Sequence, residues 1–136
     1  MSPEISAWAL AFGLTVLIEA PIVVAILRGP VIWPRALLIA LGAQLITHPA
    51  LWFIAPRFDP YWLWVGVMEC AVTAVEAVLY AGLLRTTTQE WGKILPRAIL
   101  ASIAANAVST GIGLAGRWMG PYGEIELSDV GNGDQY

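Results

Sequence analysis

Four long apolar runs, separated by short stretches rich in proline, glycine and arginine, constrain this chain more than any other feature. They cover residues 5–27, 36–55, 61–84 and 98–116. A helix needs about 20 mostly apolar residues to cross a bilayer. In lipid every backbone N–H and C=O must find an internal partner, so a run of that length becomes a helix. The joints read "RGPVIWPR", "PRFDP" and "RTTTQEWGKILPR", and proline and glycine there end helices for steric reasons. The expected fold is all-α, a four-helix transmembrane bundle over residues 1–119. An acidic polar tail, residues 120–136, follows it. The first run lacks a basic flank and is long enough to span, so it is expected to be a membrane helix rather than a cleaved signal.

Composition narrows the function classes. Only 12% of the residues are charged and 58% are hydrophobic, whereas a soluble domain is nearer a quarter charged. The net charge is −3, and no basic patch exists to neutralise phosphates, which argues against nucleic acid as a partner. Cys70 is the single cysteine, so no intramolecular disulfide forms and no Cys-x-x-Cys site exists. The expected partners are the lipid bilayer itself and other membrane subunits. Contact with those subunits would run through lipid-facing helices, outer-face tryptophans and the acidic tail.

The basic residues predict an orientation. Arg28, Arg35, Arg85, Lys93 and Arg97 fall in the first and third joints, and Arg57 and Arg117 on the opposite side. The positive-inside rule then puts both termini outside, in a bacterial inner membrane. Trp8, Trp52, Tyr61, Trp62, Trp64, Trp118 and Tyr122 would form the outer aromatic belt, and Trp33 and Trp91 the inner one.

Polar residues inside the runs fall at matched depths. Glu19 lies nine positions before Arg28, Gln44 nine after Arg35, Glu76 nine before Arg85 and Asn106 nine after Arg97. At 1.5 Å per residue each is roughly 13 Å from the same boundary. His48 and Glu69 share a second level nearer the outside, with Thr47 beside them. Residues three, four and seven apart share a helix face, so Glu69, Thr73 and Glu76 line one side of the third helix. Gln44 and His48 line one side of the second, Thr15 and Glu19 one side of the first, and Ser102, Asn106, Ser109 and Thr110 one side of the fourth. Polar groups in lipid face the bundle interior. The candidate site is therefore a buried polar cluster of Glu19, Gln44, Thr47, His48, Glu69, Thr73, Glu76 and Asn106.

Two readings of that cluster stand side by side. In the first, the carboxyls are neutral acids that hydrogen-bond the helices together, with Gln44 and Asn106 as partners. In the second they hold a proton or cation. A metal would have to use His48 and Glu69, since no Glu-x-x-His or His-Glu-x-x-His occurs, and a lone histidine does not define a haem site. No cofactor is indicated. Nucleophile motifs are absent as well, and Cys70 reads as a small packing residue. Ala107 with Gly111, and Gly116 with Gly120, read as tight helix packing. Pro21 and Pro49 each free a carbonyl one turn earlier.

"EAP" in the first run, "QLITHPALW" in the second and Glu69 with Glu76 in the third resemble a loosely defined group of small four-span bacterial membrane proteins. Those proteins carry an Asn/Gln-x-x-Thr-His-Pro segment. The resemblance covers the first three runs and implies the architecture and a joint role for Glu19, Gln44, His48, Glu69 and Glu76. It implies no activity. The expected function is a non-catalytic accessory or stabilising subunit of a larger membrane complex, of respiratory or photosynthetic type. The alternative is a small transporter or intramembrane proton- or metal-binding protein using Glu19, His48, Glu69 and Glu76. An intramembrane enzyme acting on lipid or quinone ranks last, because no nucleophile–base pair is visible.

Overall fold

The computed structural model describes residues 2–29, 31–85 and 91–119, with the side chains of 117–119 outside the description. The acidic tail and the belt positions Trp118 and Tyr122 therefore lie outside the described residues. Four helices follow one another: α1 (Pro3–Leu27), α2 (Trp33–Phe53), α3 (Tyr61–Leu84) and α4 (Trp91–Met119). All four are long and apolar enough to cross a membrane. The protein is an all-α four-helix bundle, with the helices of a multi-pass membrane protein.

Proline starts three of these helices. Pro3 and Pro34 occupy the first turns of α1 and α2, and Pro60 is the residue before α3. A missing N–H costs nothing there and the fixed φ suits the helix. Ser2 caps α1, its hydroxyl accepting the Ile5 N–H at 3.4 Å. Pro21 and Pro49 sit inside α1 and α2 without ending them.

α4 starts at Trp91, in what the sequence reads as a joint, and carries Pro96 inside it. Pro96 lies in the second turn and removes a single bond, to the Gly92 carbonyl. Both residues are exposed, so water can donate to that carbonyl in place of the missing N–H. The extra turns hold Lys93 and Arg97. Near them Arg85 lies 5.1 Å over the Trp91 ring.

Each helix packs on two neighbours, α1 with α2 and α4, and α3 with α2 and α4. The bundle is thus a closed ring of sequential, antiparallel helices. Its contact line is made of small residues: Ala36, Ala40 and Ala43 on α2, and Ala98, Ala101 and Ala105 on α4, all 1% exposed or less. Small side chains let helix backbones approach where lipid provides no hydrophobic drive. The small residues expected to do this, Ala107, Gly111 and Gly116, are instead exposed, and a Cβ added at Gly111 or Gly116 would meet nothing within 4 Å. Cys70 is also exposed, which corrects its reading as a packing residue. Both errors have one cause: in a helix apolar all round, small size does not say which way a residue faces.

Packing is uneven along the bundle. No residue before Glu19 in α1, none before Glu76 in α3 and none of residues 107–116 in α4 is buried. The arginine-rich end is closed by Val23, Leu27, Tyr80, Ala81, Leu84 and Ile94. The end bearing the 54–60 connection is loose, and the polar cluster lies where tight packing gives way to loose.

Candidate functional site

Two carboxyls organise the interior. Glu19, from α1, is 2% exposed and accepts from Gln44 Nε2 of α2 and Ser109 Oγ of α4. Glu76, from α3, is fully buried. Its Oε1 accepts from Thr47 Oγ1 of α2 at 2.9 Å. Its Oε2 accepts from Asn106 Nδ2 of α4 at 2.7 Å and from Tyr80 OH, one turn along α3, at 3.3 Å. Ser102 Oγ adds a bond to the Thr73 carbonyl at 2.7 Å. Every helix is thus tied to both of its neighbours or to a carboxyl that is.

Counting hydrogens shows how these carboxyls can be neutral. A hydroxyl has one hydrogen and two lone pairs. Thr47 Oγ1 lies 3.1 Å from the Ala43 carbonyl as well as against Glu76. Ser109 Oγ lies 3.2 Å from the Asn106 carbonyl as well as against Glu19. When each hydroxyl gives its hydrogen to the backbone carbonyl, the remaining bond is filled by a carboxylic O–H donating to the hydroxyl. Both acids then sit fully paired without charge, which the low-dielectric interior favours.

The sequence-predicted residues are brought together with two qualifications. Glu19, Gln44, Thr47, His48, Glu69, Glu76 and Asn106 all line one interior cavity of about 140 Å³, with Thr15, Ser109 and Thr110. Thr73 does not line it and joins the network through its backbone carbonyl. His48 and Glu69 share the cavity, but no hydrogen bond joins them among the described residues. His48 instead sits among aromatic rings, with centroids 5.3 Å from Phe12, 6.2 Å from Trp52 and 6.4 Å from Trp8. Its Nδ1 and the Trp8 Nε1 are buried without a hydrogen-bond partner among the described residues. No three His, Cys, Asp or Glu side chains converge as a metal site among the described residues. Tyr80 was missed as a member of the network. Its spacing of four from Glu76 is the signal that could have found it.

A second, larger cavity of about 570 Å³ opens at the loose end. Its walls are Trp52, Phe58, Tyr61, Trp64, Val65 and Met68, with Arg57 and Asp59 from the 54–60 connection. Trp64 Nε1 donates to the Pro56 carbonyl at 2.9 Å, and the Tyr61 and Trp64 rings lie 6.2 Å apart and nearly parallel. Leu51, Glu69 and Thr110 line both cavities. Half-buried Glu69 thus lies, with Thr110, in the wall shared by an outer groove and an inner polar well.

The chain matches no protein-family model, no curated protein and no solved structure.

Proposed function

We propose that this chain is a small membrane protein that takes up a proton or small cation into an intramembrane well entered from one end. The carrying observation is the position of Glu69 in the wall that groove and well share. Beyond Glu76 and Gln44 the interior is tightly packed, with the Ser102 and Tyr80 hydroxyls engaged in hydrogen bonds, so the geometry favours binding over open conduction. At about 30 Å³ per molecule, the well has room for about four or five waters. Glu69 would accept the incoming proton or cation, and Glu19 and Glu76, paired as neutral acids, would balance a cation deeper in only by releasing their protons. Gln44, Thr47, Ser109 and Asn106 would orient them.

The setting is proposed as a bacterial inner membrane, supported by the likeness to small four-span bacterial proteins. The clustering of Arg28, Arg35, Arg85, Lys93 and Arg97 supports termini on the outer side. The test is infrared difference spectroscopy of the full chain in lipid nanodiscs, stepping pH or sodium concentration. A carboxyl band that responds in the wild type and is lost in Glu69→Gln, with helicity retained, is the expected result. Wild-type responses in both Glu69→Gln and Glu76→Gln would sink the reading.

A second reading is favoured by the interlocked network itself. Four helices tied through two carboxyls make a stiff, non-catalytic accessory subunit for a larger membrane complex, of respiratory or photosynthetic type. Exposed Leu10, Leu17, Trp33, Leu38 and Val78 would give it apolar faces for partner helices. Gentle extraction through a C-terminal tag, then mass spectrometry of the intact particle with metal analysis, separates the two. Stoichiometric partner subunits support this reading, and a particle that runs alone removes it.

A further inference from the structure

We propose that the outer groove between α2, α3 and α4 binds a lipophilic organic cation, a protonated or quaternary amine with an apolar or aromatic body. Glu69 is its counter-charge. This shares Glu69 with the function proposed above and is otherwise independent of the inner well.

The groove has the size of a small-molecule site. Its 570 Å³ falls within the roughly 300–1,000 Å³ that such sites span. Its walls are mostly apolar and aromatic, and its polar groups are few and placed at the two ends, Glu69 with Thr110 in the wall shared with the well and Arg57 with Asp59 at the mouth. Aromatic faces attract cations through their quadrupoles, most strongly tryptophan, and the attraction grows as water is excluded. Trp52, Tyr61 and Trp64 supply three such rings, and the Trp64 bond to Pro56 fixes one of them in place.

Charge complementarity selects the sign of the occupant. Two acidic side chains line the groove against one basic side chain, and the basic one, Arg57, belongs to the connection rather than to the helices. A cation lying along the groove therefore passes Arg57 at the mouth and ends against an acid. An anion would end against Glu69.

The test uses the full chain in nanodiscs of neutral lipid, with tetraphenylphosphonium as the probe and equilibrium dialysis as the readout. The wild type is expected to bind it saturably. Glu69→Gln, which removes the counter-charge and keeps the shape, should bind at least roughly tenfold more weakly. Gly113→Phe provides a second arm that does not touch charge. Gly113 lines the groove and a Cβ there would meet nothing within 4 Å, so the ring would have room to project into the groove and weaken binding by obstructing it. Cys70→Ser, on the exposed side of α3, should bind as the wild type does.

Absence of saturable binding to the wild type overturns the proposal. So does wild-type affinity in both Glu69→Gln and Gly113→Phe, or tighter binding of the anionic probe 8-anilinonaphthalene-1-sulfonate than of the cation. If the cation fails to bind while the pH- or sodium-driven carboxyl band persists, the groove assignment falls and the well reading stands. If the cation binds and that band is absent, the reverse holds.

Discussion

Glu76 allows the network's chemistry to be separated from its charge, because two replacements remove different things. In Glu76→Ala, the bonds from Thr47, Asn106 and Tyr80 are all lost. Side-chain hydrogen bonds inside membrane bundles average about 0.6 kcal/mol each, so three amount to about 2 kcal/mol. Truncating a fully buried side chain leaves a cavity that adds on the order of 1–2 kcal/mol. The expected loss is about 3–4 kcal/mol. Glu76→Gln keeps the shape. Its amide oxygen can take the Oε2 position and accept from Asn106 and Tyr80. Its amide NH₂ can donate to Thr47 Oγ1, which keeps its own hydrogen for the Ala43 carbonyl at 3.1 Å. That arrangement keeps the three bonds of the neutral acid and adds one amide N–H that must find a partner, so its cost should be about 1 kcal/mol, well below that of Glu76→Ala. The assay is reversible unfolding in mixed micelles by titration with sodium dodecyl sulfate, followed by tryptophan fluorescence. If Glu76→Gln destabilises as much as Glu76→Ala, the network needs a charged carboxylate and the hydrogen count above is wrong. If Glu76→Ala costs under about 1 kcal/mol, the network does not hold the helices together at all.

Two further outcomes test the packing. Ala101→Leu enlarges a fully buried alanine and should destabilise by about 1–3 kcal/mol in the same titration, whereas Gly111→Leu, on an open face, should stay within about 0.5 kcal/mol. Cys70 is the only cysteine and lies on the outward face of α3, so in folded protein in detergent the membrane-permeant N-ethylmaleimide should label it faster than any cysteine placed in the bundle interior. In a Cys70→Ser background, Ala105→Cys should stay unlabelled until the bundle is unfolded, and prompt labelling of both would refute the helix orientations.

Much of the site was legible before any tertiary contact was known. Glu19, Gln44, Glu76 and Asn106 share one level because helix rise is constant, and a count from the nearest arginine measures depth. The pairings were not legible. His48 and Glu69 have matched depths, yet His48 turns to Phe12 and Trp8 on α1 while Glu69 lines the outer groove, which His48 does not. Depth is a property of one helix, whereas a pairing depends on how two helices are rotated and crossed. Thr73 shows the same limit: it shares a face with Glu69 and Glu76, yet the cavity forms to one side of it.

The sequence by itself determined four membrane-length helices, their order, and the depth of each polar group. These follow from apolar run length, from proline and glycine at the joints and from a fixed rise per residue. Only the tertiary structure decided that the bundle is tight at its arginine-rich end and loose at the other. That looseness makes the groove, and it sets Glu69 in the wall that groove and well share. The reason is physical. A helix apolar on every side carries no local pattern that fixes its rotation, so facing is settled by where alanines let backbones meet and where polar side chains find partners on other helices.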